Sequence, residues 1–555
     1  MPASDVKQIP VAIAGGGPVG MMLALFLDHY GVRSVIFNPE LEVRRHPKGS
    51  THNSRTMEHH RRLGFAQQIR DLCLPINRPM DISYFTRLNG WPLGRIRQPS
   101  EAEKRRVVAE SAATDQVPEP LLRANQMYIE MFLLDQVRAR PNITMRYGWQ
   151  VDKVDDDAES VTVEATDGKS RETWRAQYLA GADGGRSFVR RSLALRYSGF
   201  GTLDTPHYGG RMNATYLRAP TFYRDILVHQ HGWQYWTINP DARATIISLN
   251  RDDEFLVFSK GDDTGRVPTD AEMVSHMQRA VGAAIPIHVI GHWPWTAGVA
   301  LVADRFVAGR VALAGDAAHL FTPTGGFGMN TGIDDASNLA WKLAALVQGW
   351  GGAGLLQSYE TERRPIAQRN TIAARELNKH LAGMPVHAAI EEDSPAGEAA
   401  RREVSAHVAT MGEEFASVGV QLGSRYDGSP IIVSDGAAPP SDDFVRYTPS
   451  GVPGGRAPHY WLGTGRGYGD SLYDRLGRGF TLLRLGGSAA DTGAIEGAAR
   501  KLKVPLTVLD VPGGDARDLY GCDLALIRPD QYIAWRGDAP PTDPDRMIAR
   551  VVGAG

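Results

Sequence analysis

Residues 310–342, RVALAGDAAHLFTPTGGFGMNTGIDDASNLAWK, decide how this chain folds. Val311, Ala312, Leu313 and Ala314 form a short apolar run of the kind buried as a strand. Gly315 and Asp316 break it. A loop rich in Gly, Pro and Thr follows, and a helical run resumes toward Lys342. A strand, a glycine-rich loop and a helix N-terminus in succession make a place to hold something anionic or electron-rich. The loop N–H groups and the helix dipole both favour negative charge there.

Two distant stretches repeat the pattern. Residues 11–14, VAIA, lead into Gly15-Gly16-Gly17-Pro18-Val19-Gly20 and an apolar helical run from Met21. This is GxGxxG between strand and helix. Gly15 permits the tight turn, Gly17 lets the backbone approach a pyrophosphate, and Gly20 lets helix pack on strand. The next strand, residues 34–37, should end on an acidic residue for an adenosine ribose. That position holds Asn38, with Glu40 two residues later. An Asn lacks the charge that strengthens such a contact. Residues 178–187, YLAGADGGRS, again set a strand against an acidic, glycine-rich turn, and a helix with Arg190 and Arg191 follows. Asp183 stands too close to the helix start to be incidental and is read as part of a ligand site, with helix capping as the plainer alternative.

The chain between these anchors is less regular. Residues 41–64 are polar and basic. Arg44, Arg45 and Arg55 are candidates for cofactor or gating contacts, whereas His59, His60, Arg61 and Arg62 fit a solvated helix face. Arg123 and Gln126 stand at the start of a helix expected over 127–138. Residues 233–239 and 243–249 alternate with period two, which predicts an antiparallel sheet. Phe222, Tyr223, Trp233, Tyr235 and Trp236 cluster there and suit the wall of a pocket for a flat apolar molecule. Trp293, Trp295 and the run to Phe306 are expected to lead back to the opening segment. Helices should follow Lys342, one of them stopped or bent by Pro365. Strands at Phe480–Leu485, Leu506–Val511, Leu524–Ile527 and 532–536, with helices between, resemble the thioredoxin fold. No CxxC is present, so dithiol chemistry is excluded.

Composition narrows the classes further. A chain of 555 residues is too long for one core, so two or three domains are expected. The net charge of -2 supplies no field to attract nucleic acid or anionic lipid. With 2 cysteines there is no disulfide framework or thiolate metal site, which fits a reducing cytoplasm. The first residues lack the pattern of a signal peptide. No apolar run approaches the roughly 20 residues that span a bilayer. The 16 histidines are scattered without HExxH, which argues against a metal enzyme.

Taken in order, GGGPVG, LAGADGGRS and the 310–342 segment resemble the class A flavoprotein monooxygenases. These are FAD-dependent aromatic hydroxylases of the para-hydroxybenzoate hydroxylase fold. PGGRAPHYWL (453–462) and SLYDRLGRGFTLL (471–483) are similar to the C-terminal signature of the phenol hydroxylase branch. The resemblance spans essentially the whole chain and implies an α/β fold. A Rossmann-type FAD-binding domain would comprise residues 1–80, 121–195 and, with a helical region, 301–435. An antiparallel-sheet substrate domain would be inserted as 81–120 and 196–300, and a thioredoxin-like domain would fill 436–555.

The resemblance also implies roles. Gly15, Gly17, Pro18, Val19 and Gly20 would approach the FAD pyrophosphate, and Asp183, Gly315 and Asp316 its chain. Pro323, Gly325, Gly326, Gly328, Met329 and Asn330 would line the isoalloxazine. Asn38, Arg44, Arg55, Arg123 and Gln126 complete the implied cofactor set. Asn38 and Ser50 depart from the pattern, because relatives carry an acidic ribose ligand at the first place and can carry an Asp base near the second. NADH or NADPH would reduce the flavin, dioxygen would add at C4a as a hydroperoxide, and a phenolate would attack it. His52, Tyr223, His229, Tyr235 and Arg251 are the candidates to assist the phenol. The implied substrates are phenols, hydroxyphenylpropionoids, or nitro- or halo-substituted catechols, whose substituent would be expelled. A related monooxygenase acting on a polyketide or antibiotic is the alternative, and a non-catalytic flavin-binding protein a third. A homodimer with no metal, membrane or nucleic-acid partner is expected.

Overall fold

The computed structural model describes residues 6–43, 45–201, 210–249, 253–261, 264, 266–297, 299–415 and 417–555. The strand Lys7–Ala14 lies inside an eight-stranded sheet. Ser34–Asn38 runs parallel to it on one side and Arg171–Gly181 on the other. Arg171–Gly181 pairs in turn, again parallel, with Val311–Leu313. Ala14 stands opposite Gly181, and Gly181 opposite Leu313. Three glycine-rich turns far apart in sequence therefore leave the sheet side by side at the strands' carboxyl ends. That is where open α/β sheets bind ligands. The strands share one buried core with the helices Pro18–His29 and Phe327–Gln348. Gly332 permits this packing, since a Cβ there would lie 2.6 Å from Val19 Cγ2 and 2.9 Å from Gly315 Cα.

A second sheet has seven strands, in the order His288–Ala297, Gly210–Arg218, Glu254–Lys260, Ala244–Ser248, Gln234–Thr237, Ile82–Phe85 and Pro92–Ile96. It is antiparallel as expected, apart from one pair. Gln234–Thr237 runs parallel to Ile82–Phe85, because the chain between them passes through the first sheet and makes the long crossover that parallel pairing needs. His288–Ala297 forms an edge strand here, and the later strand Val307–Ala308 pairs with Val311–Leu313 of the first sheet. A third sheet, near the C-terminus, has the order Leu506–Val511, Phe480–Leu485, Leu524–Ile527 and Ile533–Gly537, with the first pair parallel and the others antiparallel.

Two local expectations are corrected. The helix Gly354–Ala382 is not stopped at Pro365 but continues through it. A proline removes one backbone hydrogen bond, but Glu362 and Arg363 just before it are pinned by buried ion pairs. The helix Ser54–Arg62 is buried rather than solvated: His59 and His60 are 0% exposed and Arg61 5%. Arg61 is covered because it pairs with Glu119 at 2.9 Å and with Asp474, ahead of the third sheet, at 2.7 Å. Among the described residues no helix is long and apolar enough to cross a membrane.

Candidate active site

The three turns are built for close approach. Gly15 has φ +111°, and a Cβ there would lie 2.2 Å from the Ala182 carbonyl oxygen. A Cβ on Gly20 would lie 1.9 Å from the Gly15 oxygen. Gly17, by contrast, faces open space. It precedes the helix Pro18–His29, whose N-terminus has no side-chain cap. Free N–H groups beside an open backbone fit a pyrophosphate. Asn38 braces this turn: its Oδ1 accepts from the Gly16 N–H at 3.2 Å, and its Nδ2 donates to the Glu40 carbonyl at 3.2 Å.

The second turn locks the third. Asp183 accepts from the N–H groups of Phe188 at 2.7 Å and Val189 at 3.1 Å, so it does the work of a helix cap. Its other oxygen is buried with no partner. Arg190 on the capped helix donates to the Ala317 carbonyl at 3.2 Å and stacks 3.8 Å from the Tyr197 ring centroid. The Tyr197 hydroxyl donates to the Asp316 carbonyl. Gly315, at φ +60°, donates to Asp335 at 3.1 Å, and His319 bonds the same carboxylate at 2.6 Å. Asp316 is thereby presented to a cavity. Its side chain is open to that cavity, and limited hydration there raises its carboxyl pKa, while His319 and Lys48 pull the other way.

The 323–330 segment closes the next side of the site. Gly325 and Gly326 adopt φ of +79° and +67°. The helix Phe327–Gln348 then starts without a side-chain cap, so its first N–H groups remain available to a ligand. Asn330 accepts from the Asn53 N–H at 2.9 Å and donates to the Thr51 carbonyl at 2.9 Å and the Gly326 carbonyl at 2.6 Å. These bonds tie the ring loop to the short strand Thr51–His52. Arg123 donates to the Thr51 hydroxyl and lies 4.0 Å from the Trp233 ring centroid. Gln126 donates to Glu130 at 2.5 Å.

A cavity of about 520 Å³ borders the third turn and the 323–326 loop. One wall carries residues 46–51, Arg123, Asp316 and residues 323–326. The other is the second sheet, with Trp233, Gln234, Trp236, Phe258, Trp293 and Trp295. Leu381 and Phe415 also border it. The pleat decides which side chains arrive: Gln234 and Trp236 share the cavity face, and Tyr235 turns away.

The proposed phenol helpers do not gather here. Tyr235 is buried on the sheet's far side, with its hydroxyl accepting from the Gly232 N–H at 2.6 Å. Tyr223 bonds Ser248 at 2.5 Å on that side, and His229 is exposed outside the cavity lining. His52 points into the interior, its ring 6.1 Å from that of His60, and burial lowers its pKa to about 4. Arg55 also misses the cavity, because its guanidinium bonds Glu58 at 2.8 Å and Gln531 at 2.7 Å. Arg44 and Arg251 lie outside the described residues. Gln234, His46 and Lys48 line the cavity and went unranked as substrate contacts in the sequence. For Gln234 the signal was its place two residues before Trp236, on one face of a strand. Among the described residues no cluster would hold a metal ion.

Comparison with known proteins agrees with this architecture. Residues 8–374 match the FAD binding domain family, and residues 450–555 match the aromatic-ring hydroxylase C-terminal family. The chain is 34% identical to the FAD-dependent monooxygenase apdD of Emericella nidulans, over 100% of this chain and 92% of that protein. It is 30% identical to 4-methyl-5-nitrocatechol 5-monooxygenase of a Burkholderia species, over 99% of this chain and 97% of that one. The structure of chromopyrrolic acid-soaked RebC with bound 7-carboxy-K252c superposes with a TM-score of 0.88 at 30% identity, covering 99% of this chain and 100% of the other. With strand ends, open glycines and an aromatic cavity converging on one site, the chain belongs to the class A FAD-dependent aromatic monooxygenases.

Proposed function

We propose that the protein hydroxylates a phenolic aromatic ring with dioxygen, using NADH or NADPH as reductant. One observation carries this: the ring loop and a tryptophan-lined sheet face each other across a single cavity. Bound FAD supplies the two-electron chemistry that activates dioxygen. The chain's own contribution is binding and orientation. Gly17 and the helix N-terminus at Pro18 would hold the pyrophosphate, and Asp316 the ribityl chain. The uncapped N-terminus at Phe327 would favour negative charge on the pyrimidine edge of the ring. Trp236, Trp293 and Trp295 would hold the substrate flat and keep bulk water from the reacting atoms. His46, its ring 3.8 Å from that of Trp293, is the lining imidazole able to take a proton from a phenol.

A polycyclic substrate is the second reading, favoured by the breadth of the aromatic wall. The experiment is oxygen and NAD(P)H consumption by the purified yellow protein with one-ring and multi-ring phenols, with products identified by mass. Hydroxylated product from one class, or a quinone with released nitrite or halide, is the expected result. Oxygen uptake with no such product from any phenol would overturn the proposal.

A further inference from the structure

The sheet wall of the cavity is aromatic and aliphatic except at one side chain. Apart from indole N–H groups, Gln234 alone is polar among the lining residues of that wall. Its backbone N–H donates to the Asp81 carbonyl at 3.2 Å, and its strand pairs on both sides, so the residue is fixed in place. The residue is 6% exposed. Its side-chain amide makes no hydrogen bond to any described residue, yet it borders the cavity. Trp236, two residues on, presents its ring to the same space.

A buried primary amide with both ends unpaired is costly unless something in the cavity satisfies it. Water can do so in the free protein. A ligand improves on water only by matching both the donor and the acceptor. The two ends of the amide lie side by side in one plane. Their complement is a planar edge carrying an acceptor next to a donor, as in a cyclic amide or a ring carbonyl beside a hydroxyl. An anionic group is a poorer match for this side chain, because the amide is neutral.

We infer that Gln234 is the specificity-determining contact for the substrate, reading a neutral donor–acceptor edge on a flat aromatic ring held against Trp236. The inference rests on the hydroxylase proposal for its assumption that this cavity receives the substrate. Equilibrium dialysis of the FAD-loaded protein with 2-quinolone and N-methyl-2-quinolone tests it without turnover. The first probe has the lactam N–H beside its carbonyl, and the second lacks the donor. The wild-type protein should bind 2-quinolone about tenfold more tightly. In Gln234→Leu that ratio should fall to about one, with FAD content unchanged. In Gln234→Glu the ratio should persist, because a carboxylate still accepts from the lactam N–H that only 2-quinolone carries, while both probes lose the donor to their carbonyl.

A wild-type ratio near one, a ratio preserved in Gln234→Leu, or no saturable binding of either probe would overturn the inference. Product formation from phenols is measured separately. Its absence would remove the hydroxylase proposal, whereas an unaltered binding ratio beside normal hydroxylation would remove only the role of Gln234.

Discussion

The helix Phe327–Gln348 passes through two contrasting environments. The loop leading into it, residues 323–326, borders a cavity whose sheet wall is aromatic and aliphatic apart from one amide. A few residues on, its side chains enter a dense set of buried charges. Asp334 bonds His59 at 2.9 Å and also Arg363, while Asp335 bonds Arg363 at 2.8 Å and His319 at 2.6 Å. Lys342 meets Glu362 at 2.6 Å, Glu362 meets Arg528 at 2.6 Å, and Arg528 meets Asp530 at 2.6 Å. Isolated ions in such a place would be destabilising, but each of these carboxylates has at least two polar partners. The contrast separates two tasks. Paired charges fix the relative positions of the ring loop, the GD turn and the C-terminal segment. The reaction chamber is left with few fixed polar contacts, so a ligand displaces little.

The strongest way to break this contrast is Arg363→Leu, which leaves Asp334 and Asp335 facing each other without their shared cation. Denaturant unfolding should show a loss of about 3–5 kcal/mol. An unchanged midpoint would mean that the network is ornamental. A second test uses pH. Burial holds both His52 and His59 down to about 4. In the unfolded chain such rings titrate near 6.5, so the folded state binds fewer protons between those values. Stability should therefore fall as pH drops from about 6.5 toward 4, by roughly 3 kcal/mol per ring at pH 4. Thermal unfolding followed across that window checks it, and His52→Gln should flatten the slope. A flat profile in the wild-type protein would contradict the neutral-ring account.

On the cavity side the expected effects are smaller and fall on ligands rather than on the fold. Asp316→Ala should weaken FAD retention about 10- to 100-fold, the range of a lost hydrogen bond to a charged group. Circular dichroism should be retained. Full flavin occupancy would show that the GD turn does not hold the cofactor. Tyr235→Phe sharpens the contrast from the other face of the same strand. It should cost about 1 kcal/mol of stability and leave kcat within about twofold, because the hydroxyl bonds Gly232 and Tyr223 on the far side of the sheet from the cavity. A large fall in kcat would return Tyr235 to the chemistry.

Much of the turn geometry was legible because backbone conformation is written locally. Gly15, Gly315, Gly325 and Gly326 all adopt positive φ, and their spacing against strand and helix patterns announces the turns. The aromatic wall was legible only as a cluster. Period two alone could not say whether Tyr235 or its neighbours Gln234 and Trp236 faced the ligand, since a shift of one residue exchanges the faces. The basic run at 55–62 misled for a different reason. Charge in a helix usually means solvent, and Glu119 and Asp474, the partners that bury Arg61, are distant in sequence.

The sequence by itself determined the three strand–turn–helix anchors, their order, the family they resemble and the four strands near the C-terminus. Each rests on short-range rules of backbone conformation, so a local window suffices. Only the tertiary structure decided that the anchors leave adjacent parallel strands in register, that Tyr235 turns away while Gln234 turns in, and that Arg55 and Arg61 bind acids rather than ligand. Strand pairing and ion pairing join residues hundreds of positions apart. Their energy depends on which groups lose water together, and that is fixed only once the whole chain has packed.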